Sequence, residues 1–317
     1  MSVAPHHING FEVTNHPFQQ YVHQSVELSK KGAESLEWLK ELGVSKPADR
    51  YGEYFRVLAS FGMNKDFAGE KGEEGYKEFY SFLNAHSEIN ELVRVHDALR
   101  NIEADEYMSI LRKVVGGQPY RQHADRDPGR DFLFELSTAS RLLRAGYEVR
   151  LNEFADVVIP IGSQNVYIEV KRIKSARQLG KRISEVNKQI QLRVSKDTSS
   201  LARGLVVVGL TDILNPLNEM VMVNSAEGMR QANADKLHEY ISLKSSSFYR
   251  GRSKKALGVL SEFTMQGLLV KGERFSSEWV RLVNCRVSSF LKYSMGSADG
   301  SLARKIVVGM SNQALFR

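Results

Sequence analysis

The chain has 317 residues and a formal net charge of +7, enough length for two domains and a sizeable core. Its single cysteine, Cys285, excludes an internal disulfide and any cysteine-rich zinc site, and neither a Walker sequence nor a Gly-rich dinucleotide fingerprint occurs. No stretch reaches membrane-spanning length, and the opening MSVAPHHING lacks a basic region followed by an apolar run, so a soluble cytoplasmic protein is expected.

From Phe18 to about Gly116 the pattern is helical, with segments such as SLEWLKELG and INELVRVHDALRNIEADEYMSILRKVV separated by Gly- or Pro-containing breaks. Residues 1–115 hold 13 Lys and Arg against 18 Asp and Glu, and the remainder holds 31 against 19. An acidic, all-helical accessory or regulatory domain over residues 1–117 follows, with positive charge concentrated beyond it, where a phosphate-binding surface would need it. The run GGQPYRQHADRDPGRD, residues 116–131, reads as the connection, because Gly, Pro and charged residues replace apolar periodicity. Its His123, Asp125 and Asp127 are ordinary for a polar linker and a weak candidate for metal.

The second domain, residues 118–317, opens with GRDFLFELSTASRLLRAGYEV. Phe132, Leu136, Ala139 and Leu143 predict one face of a helix, and Gly146 stops it. A strand is expected in Tyr147, Val149 and Leu151, then a second apolar strand that Asp156 starts and the turn at residues 162–165 folds back on a third. Side chains alternate along a strand, so Glu169 and Lys171 share one face while Ile168 and Val170 point into the core. Leu179, Ile183, Val186 and Ile190 predict a second amphipathic helix, and GLVVVGL at residues 204–210 a buried strand.

This order of helix, three strands, helix and strand, with an acid entering a hairpin and Glu-x-Lys on the returning strand, resembles the PD-(D/E)XK nuclease superfamily over about residues 128–212. The resemblance implies an α/β restriction-endonuclease-like core and the activity of a metal-dependent endonuclease. Asp156 matches the first motif acid, preceded by Ala155 rather than the name-giving proline, and Glu169 and Lys171 match the second acid and the lysine. Glu135 stands where many members carry a glutamate on the first helix, and Lys188 and Gln189 are the candidates for a site residue from the second.

The residue types suit the chemistry in their own right. Phosphodiester hydrolysis needs extra charge stabilised on the phosphorus oxygens and a nucleophile drawn from water, and bound Mg²⁺ or Mn²⁺ meets both needs. Mg²⁺ takes oxygen ligands, which Asp156, Glu169 and the backbone carbonyl of Val170 would supply, with Glu135 completing a second site or holding a water. Lys171 would then orient the nucleophile and stabilise the transition state. The plain structural alternative is a turn-bonding Asp156 and an exposed Glu169–Lys171 pair of little energetic consequence.

Around the second helix Arg172, Lys174, Arg182 and Lys188 are the candidates for contact with a nucleic-acid backbone, DNA being the expected substrate. A second basic patch, SSSFYRGRSKKALG, sets Arg250, Arg252, Lys254 and Lys255 after Phe248 and Tyr249, in a composition that also fits a surface loop. Beyond Leu210 a helix over 226–243 and strand-like runs at 256–263, 279–287 and 305–308 are expected to extend the sheet. A nuclease without helicase or methylase on its chain looks similar to those of bacterial restriction and phage defence. A homodimer would supply two active sites for a double-strand cut, and the helical domain offers a surface for a partner protein. An inactive nucleic-acid-binding module and an RNA endonuclease are the alternatives.

Overall fold

The structure is a computed structural model, and it describes residues 6–8, 11–23, 25–45, 49–63, 72–119, 127–151, 155–270, 280–293 and 296–310. The protein is mixed α/β, and the described residues build one eight-stranded sheet. The strands are β1 (His6–Ile8), β2 (Phe11–His23), β3 (Val157–Ile161), β4 (Gln164–Arg172), β5 (Arg203–Gly209), β6 (Met220–Val223), β7 (Ala256–Val270) and β8 (Val280–Lys292). Their order is β1-β2-β8-β7-β5-β4-β3, with β6 also paired to β7. The central pairs β4–β5 and β5–β7 are parallel, while β3–β4, β7–β8, β2–β8 and β1–β2 are antiparallel.

Why β5 reads as an unbroken apolar run is clear from what covers it. Val206 and Val208 face one core with Ile183, Val186 and Ile190 of α6 (Leu179–Lys196) and Met229 and Leu237 of α8 (Ala226–Leu243). Leu205 and Val207 face the other, with Ala139 and Leu142 of α5 (Pro128–Arg144) and Ile306 of α10 (Ser297–Gly309), while the short helix α9 (Ser245–Phe248) leads into β7. A strand covered on both faces has no solvated side to keep polar. The β3–β4 hairpin turns through two residues, Gly162 and Ser163, with Ile161 opposite Gln164. Gly162 has φ +60°, the left-handed region that the first position of such a turn can require.

A third core lies under the helical layer of α1 (Ser25–Glu41), α2 (Arg50–Met63), α3 (Gly72–Leu99) and α4 (Met108–Val114). Leu133 and Leu136 of α5 and Leu282 of β8 belong to it, so the layer is packed onto the sheet rather than tethered beside it. Polar anchors cross the same junction. Glu91 of α3 accepts hydrogen bonds from Arg286 of β8 at 2.6 Å and from Ser137 of α5 at 2.6 Å. The Arg130 guanidinium of α5 donates to Glu88 and, through Nη2, to the Tyr54 hydroxyl at 2.8 Å.

The expected all-helical N-terminal domain needs correction at its start. Residues 11–23, of which those from Phe18 fit a helical pattern, form β2, the neighbour of β8. The segment is rich in β-branched and aromatic residues, and Pro17 falls in the register shift between His16 and Gln19, where a missing N–H disturbs no ladder. The strand expected at 147–151 is reduced to a single antiparallel bridge, Arg150 with Val158. The strand-like run 305–308 lies inside α10, where Ala303, Ile306, Val307 and Met310 are buried at helical spacing. There the burial of a three- and four-residue stripe outweighs the β-branched preference of Ile306, Val307 and Val308. Strands β7 and β8 and helix α8 extend and cover the sheet as expected. Among the described residues no helix is long and apolar enough to cross a membrane.

Candidate metal and phosphate site

The site forms where one strand stops short. Pairing of β3 with β4 ends at Val157 opposite Ile168, while β4 continues to Arg172 paired, among the described residues, with β5 alone. Asp156, one residue before β3, fills the vacated edge with its side chain: Oδ2 accepts the Val170 N–H at 2.7 Å. The N–H and C=O of one strand residue point to the same edge, so the Val170 carbonyl also faces the Asp156 side.

Alternation along β4 then sets the two faces. Val166, Ile168 and Val170 pack into the core shared with α5, which puts Glu169 and Lys171 on the face toward α6. The helix meets this face in register. Four helical residues rise about 6.0 Å and two strand residues about 6.6 Å, so side chains at every fourth helical position can follow alternate positions of a strand. Asp197 accepts from the Tyr167 hydroxyl at 2.7 Å and from Asn165 at 2.9 Å. Four residues earlier, Arg193 Nε donates to Glu169 Oε1 at 3.4 Å. Four and eight residues earlier again, Gln189 and Glu185 share a surface depression with Lys171, which Arg182, Val186 and Lys188 complete. This depression has a volume of about 380 Å³.

Electrostatics mark the acids as under-compensated. Glu169 is only 3 % exposed, and its carboxyl is pushed up to about 7 by burial and by the charge of Asp156, against the pull of Arg193 and Lys171. Glu135 is raised to about 8, again by burial first and Asp156 second, with Lys171 opposing. Asp156 is raised by burial despite the Val170 hydrogen bond and the cations Lys171 and Arg193. These mutual influences place Glu135 of α5, Asp156, Glu169 and Lys171 within one electrostatic neighbourhood. Among the described residues no group of three or more His, Cys, Asp or Glu side chains is arranged to hold a metal ion by itself. An open set of carboxylates and a backbone carbonyl is instead the all-oxygen donor type that Mg²⁺ and Mn²⁺ accept while keeping several waters. The group therefore fits these residues: a divalent cation would offset the burial, and at Glu135 and Glu169 the added charge of Asp156, that favour their protonated forms.

The remaining predicted residues divide. Lys188 and Gln189 are exposed and line the depression beside Lys171. Arg182 is there too, paired with Glu185 at 2.9 Å and still 43 % exposed, and Lys174 reaches Asp131 at 3.1 Å. Arg172 is not a phosphate-facing residue. Its side chain is 8 % exposed and is spent on Asp131 of α5 at 3.2 Å and Asp212 at 2.7 Å, the latter on the short helix α7 (Thr211–Leu214). Because Asp131 precedes Glu135 by one helical turn, this double pair ties the helix carrying Glu135 to the strand carrying Glu169.

In the second basic patch Phe248 is fully buried in the core, so it offers no ring to a base. His123 and Asp125 lie outside the described residues, and Asp127 caps α5 by accepting the Arg130 N–H at 3.2 Å. Arg193 was not among the expected site residues, although its four-residue spacing from Gln189 was a usable signal. No family model, no curated protein and no solved structure matches the chain.

Proposed function

We propose that the protein is a Mg²⁺- or Mn²⁺-dependent endonuclease that hydrolyses phosphodiester bonds of DNA, with a restriction-endonuclease-like core over α5, the bridged segment at Arg150, β3, β4, α6 and β5. The observation that carries this reading is the Asp156 carboxylate seated on the open edge of β4, one residue from Glu169 and Lys171. Two acids and a lysine on one truncated strand edge are more than a structural ion pair requires.

Asp156, Glu169 and the Val170 carbonyl are the residues that would hold the metal, with Glu135 beside them. When bound, the ion supplies a Lewis acid for the phosphoryl oxygens and a lowered pKa for the attacking water. Lys171, facing the depression on α6, orients the water and sets its charge against the developing negative charge of the phosphate. Arg182, Lys188 and Gln189 border the same depression and guide the backbone toward it. The reading extends to a cytoplasmic site of action against invading DNA, with a homodimer supplying two active sites for a double-strand cut and the helical layer a docking surface for a partner.

The test is cleavage of supercoiled plasmid and of linear single- and double-stranded DNA and RNA with Mg²⁺ or Mn²⁺, comparing wild type with Lys171→Ala and Asp156→Ala. Wild type should cut DNA, and each variant should lose about a thousandfold in rate while keeping its circular dichroism spectrum. Cleavage of RNA alone would move the substrate assignment. Equal cleavage by all three proteins, or metal-saturated wild type that cuts nothing, would sink the active-site assignment and leave a binding module.

A further inference from the structure

We propose that Arg193 is a phosphate-binding residue of this site, held in place by Glu169 and presenting the outer edge of its guanidinium to the substrate backbone. The inference rests on the nuclease reading above and adds a residue to it.

Two arginines with a structural task are buried and two-pronged: Arg141 sets both Nη atoms on Glu262, and Arg172 spans Asp131 and Asp212. Arg193 differs on each count. It reaches Glu169 through Nε alone, at 3.4 Å, and its side chain is 27 % exposed. Its Nη1 and Nη2 groups make no hydrogen bond with the described residues, so the planar fork that matches phosphate geometry is open.

Position supports the same assignment. The in-register packing of α6 on β4 sets Arg193 opposite Glu169, one turn beyond Gln189, while Lys171 stands two residues along the strand. A phosphodiester drawn to metal held by Asp156 and Glu169 would therefore meet a cation on each side, Lys171 and Arg193. Glu169 has its own use for the contact, because it restricts a long, rotamer-rich side chain before substrate arrives and lowers the ordering cost of binding.

The experiment measures Mn²⁺ binding by calorimetry and, with Ca²⁺ replacing Mg²⁺ to limit turnover, binding of a short labelled DNA duplex and a short single-stranded RNA. Wild type, Arg193→Gln and Arg193→Lys are compared. Arg193→Gln should keep the wild-type thermal midpoint and bind Mn²⁺ within about twofold, yet bind nucleic acid about tenfold more weakly, with a salt slope smaller by about one. Arg193→Lys should fall between the two, since it restores charge without the fork. Unchanged nucleic-acid affinity in Arg193→Gln overturns the proposal, and so does a joint loss of Mn²⁺ binding, which would make Arg193 only a prop for Glu169. Wild type that binds neither nucleic acid overturns the nuclease reading itself, a distinguishable failure.

Discussion

Two groups of largely shielded charge lie in different parts of this molecule, one under the helical layer and one at the end of β4, and their contrast shows how a candidate site differs from a scaffold. Under the helical layer, Glu91 meets Arg286, Arg94 and Ser137, while Glu262 meets Arg141. Burial alone would raise Glu91, but Arg286 and Arg94 overcome it and draw the carboxyl down to about 2. At the end of β4 the acids Glu135, Asp156 and Glu169 outnumber what Lys171 and Arg193 offset, and all three are pushed upward. A fold can afford compensated charge anywhere in its interior. Charge left short of partners on a strand edge is stable only as a neutral acid, or with a cation from outside.

The largest effect should come from breaking the compensated group. Arg286→Met leaves Glu91, 17 % exposed beside Arg94, without its closest partner, and the loss of about 3–5 kcal/mol on breaking a fully buried pair is the upper bound of the cost. The measurement is urea unfolding at neutral pH, where the variant should show a much lower midpoint. Because the folded pKa of Glu91 lies below its unfolded value, its contribution is present above the unfolded pKa near 4.5 and is lost as pH falls through about 2. The stability gap between wild type and Arg286→Met should therefore narrow in strong acid. A variant as stable as wild type would erase the distinction between the two groups.

The opposite pH dependence is expected at β4. Glu169 and Glu135 have folded pKa values near 7 and 8, above their unfolded values of 4.5, so between those limits the folded state binds more protons than the unfolded one. Stability from these groups is present below the unfolded pKa and is lost as pH rises through the folded values. Without divalent metal, the thermal midpoint should fall by roughly 5 °C between pH 6 and pH 8.5, and saturating Mn²⁺ should reverse the fall by favouring the ionised acids. Glu169→Gln should make the metal-free fall shallower, with Glu135 still titrating, and lose the Mn²⁺ response. A metal-free profile that is flat in wild type would show that the acids are compensated after all.

How much of this was legible in the sequence depended on distance along the chain. The hairpin could be read because its turn, its alternation and Glu169 with Lys171 all fall within residues 156–172, and α6 because its apolar stripe is contiguous. What escaped were pairings between remote segments. Strand β2 finds its partner β8 more than 250 residues later, so its local pattern had nothing to decide between helix and strand. The role of Arg172 was invisible for the same reason: Asp131 lies 41 residues before it and Asp212 40 after. A cation beside Lys171 looks like a phosphate contact until its remote partners are known.

That last distinction gives the smallest and sharpest prediction. Lys188 is exposed beside Lys171, so Lys188→Ala removes a charge that a backbone phosphate can use. Nucleic-acid affinity should fall by a few-fold and the dependence of log K on log salt should drop by about one, since one fewer counterion is released. Arg172→Met removes an equal charge from a place the backbone does not reach, so the salt slope should stay unchanged. Its cost should appear instead in the cleavage rate at saturating substrate, because α5 and Glu135 lose their tie to β4, and Arg172→Lys should recover part of that rate by keeping one of the two ion pairs. If Arg172→Met flattens the salt slope as Lys188→Ala does, the arginine faces the substrate, and its pairing with Asp131 and Asp212 does not persist in solution.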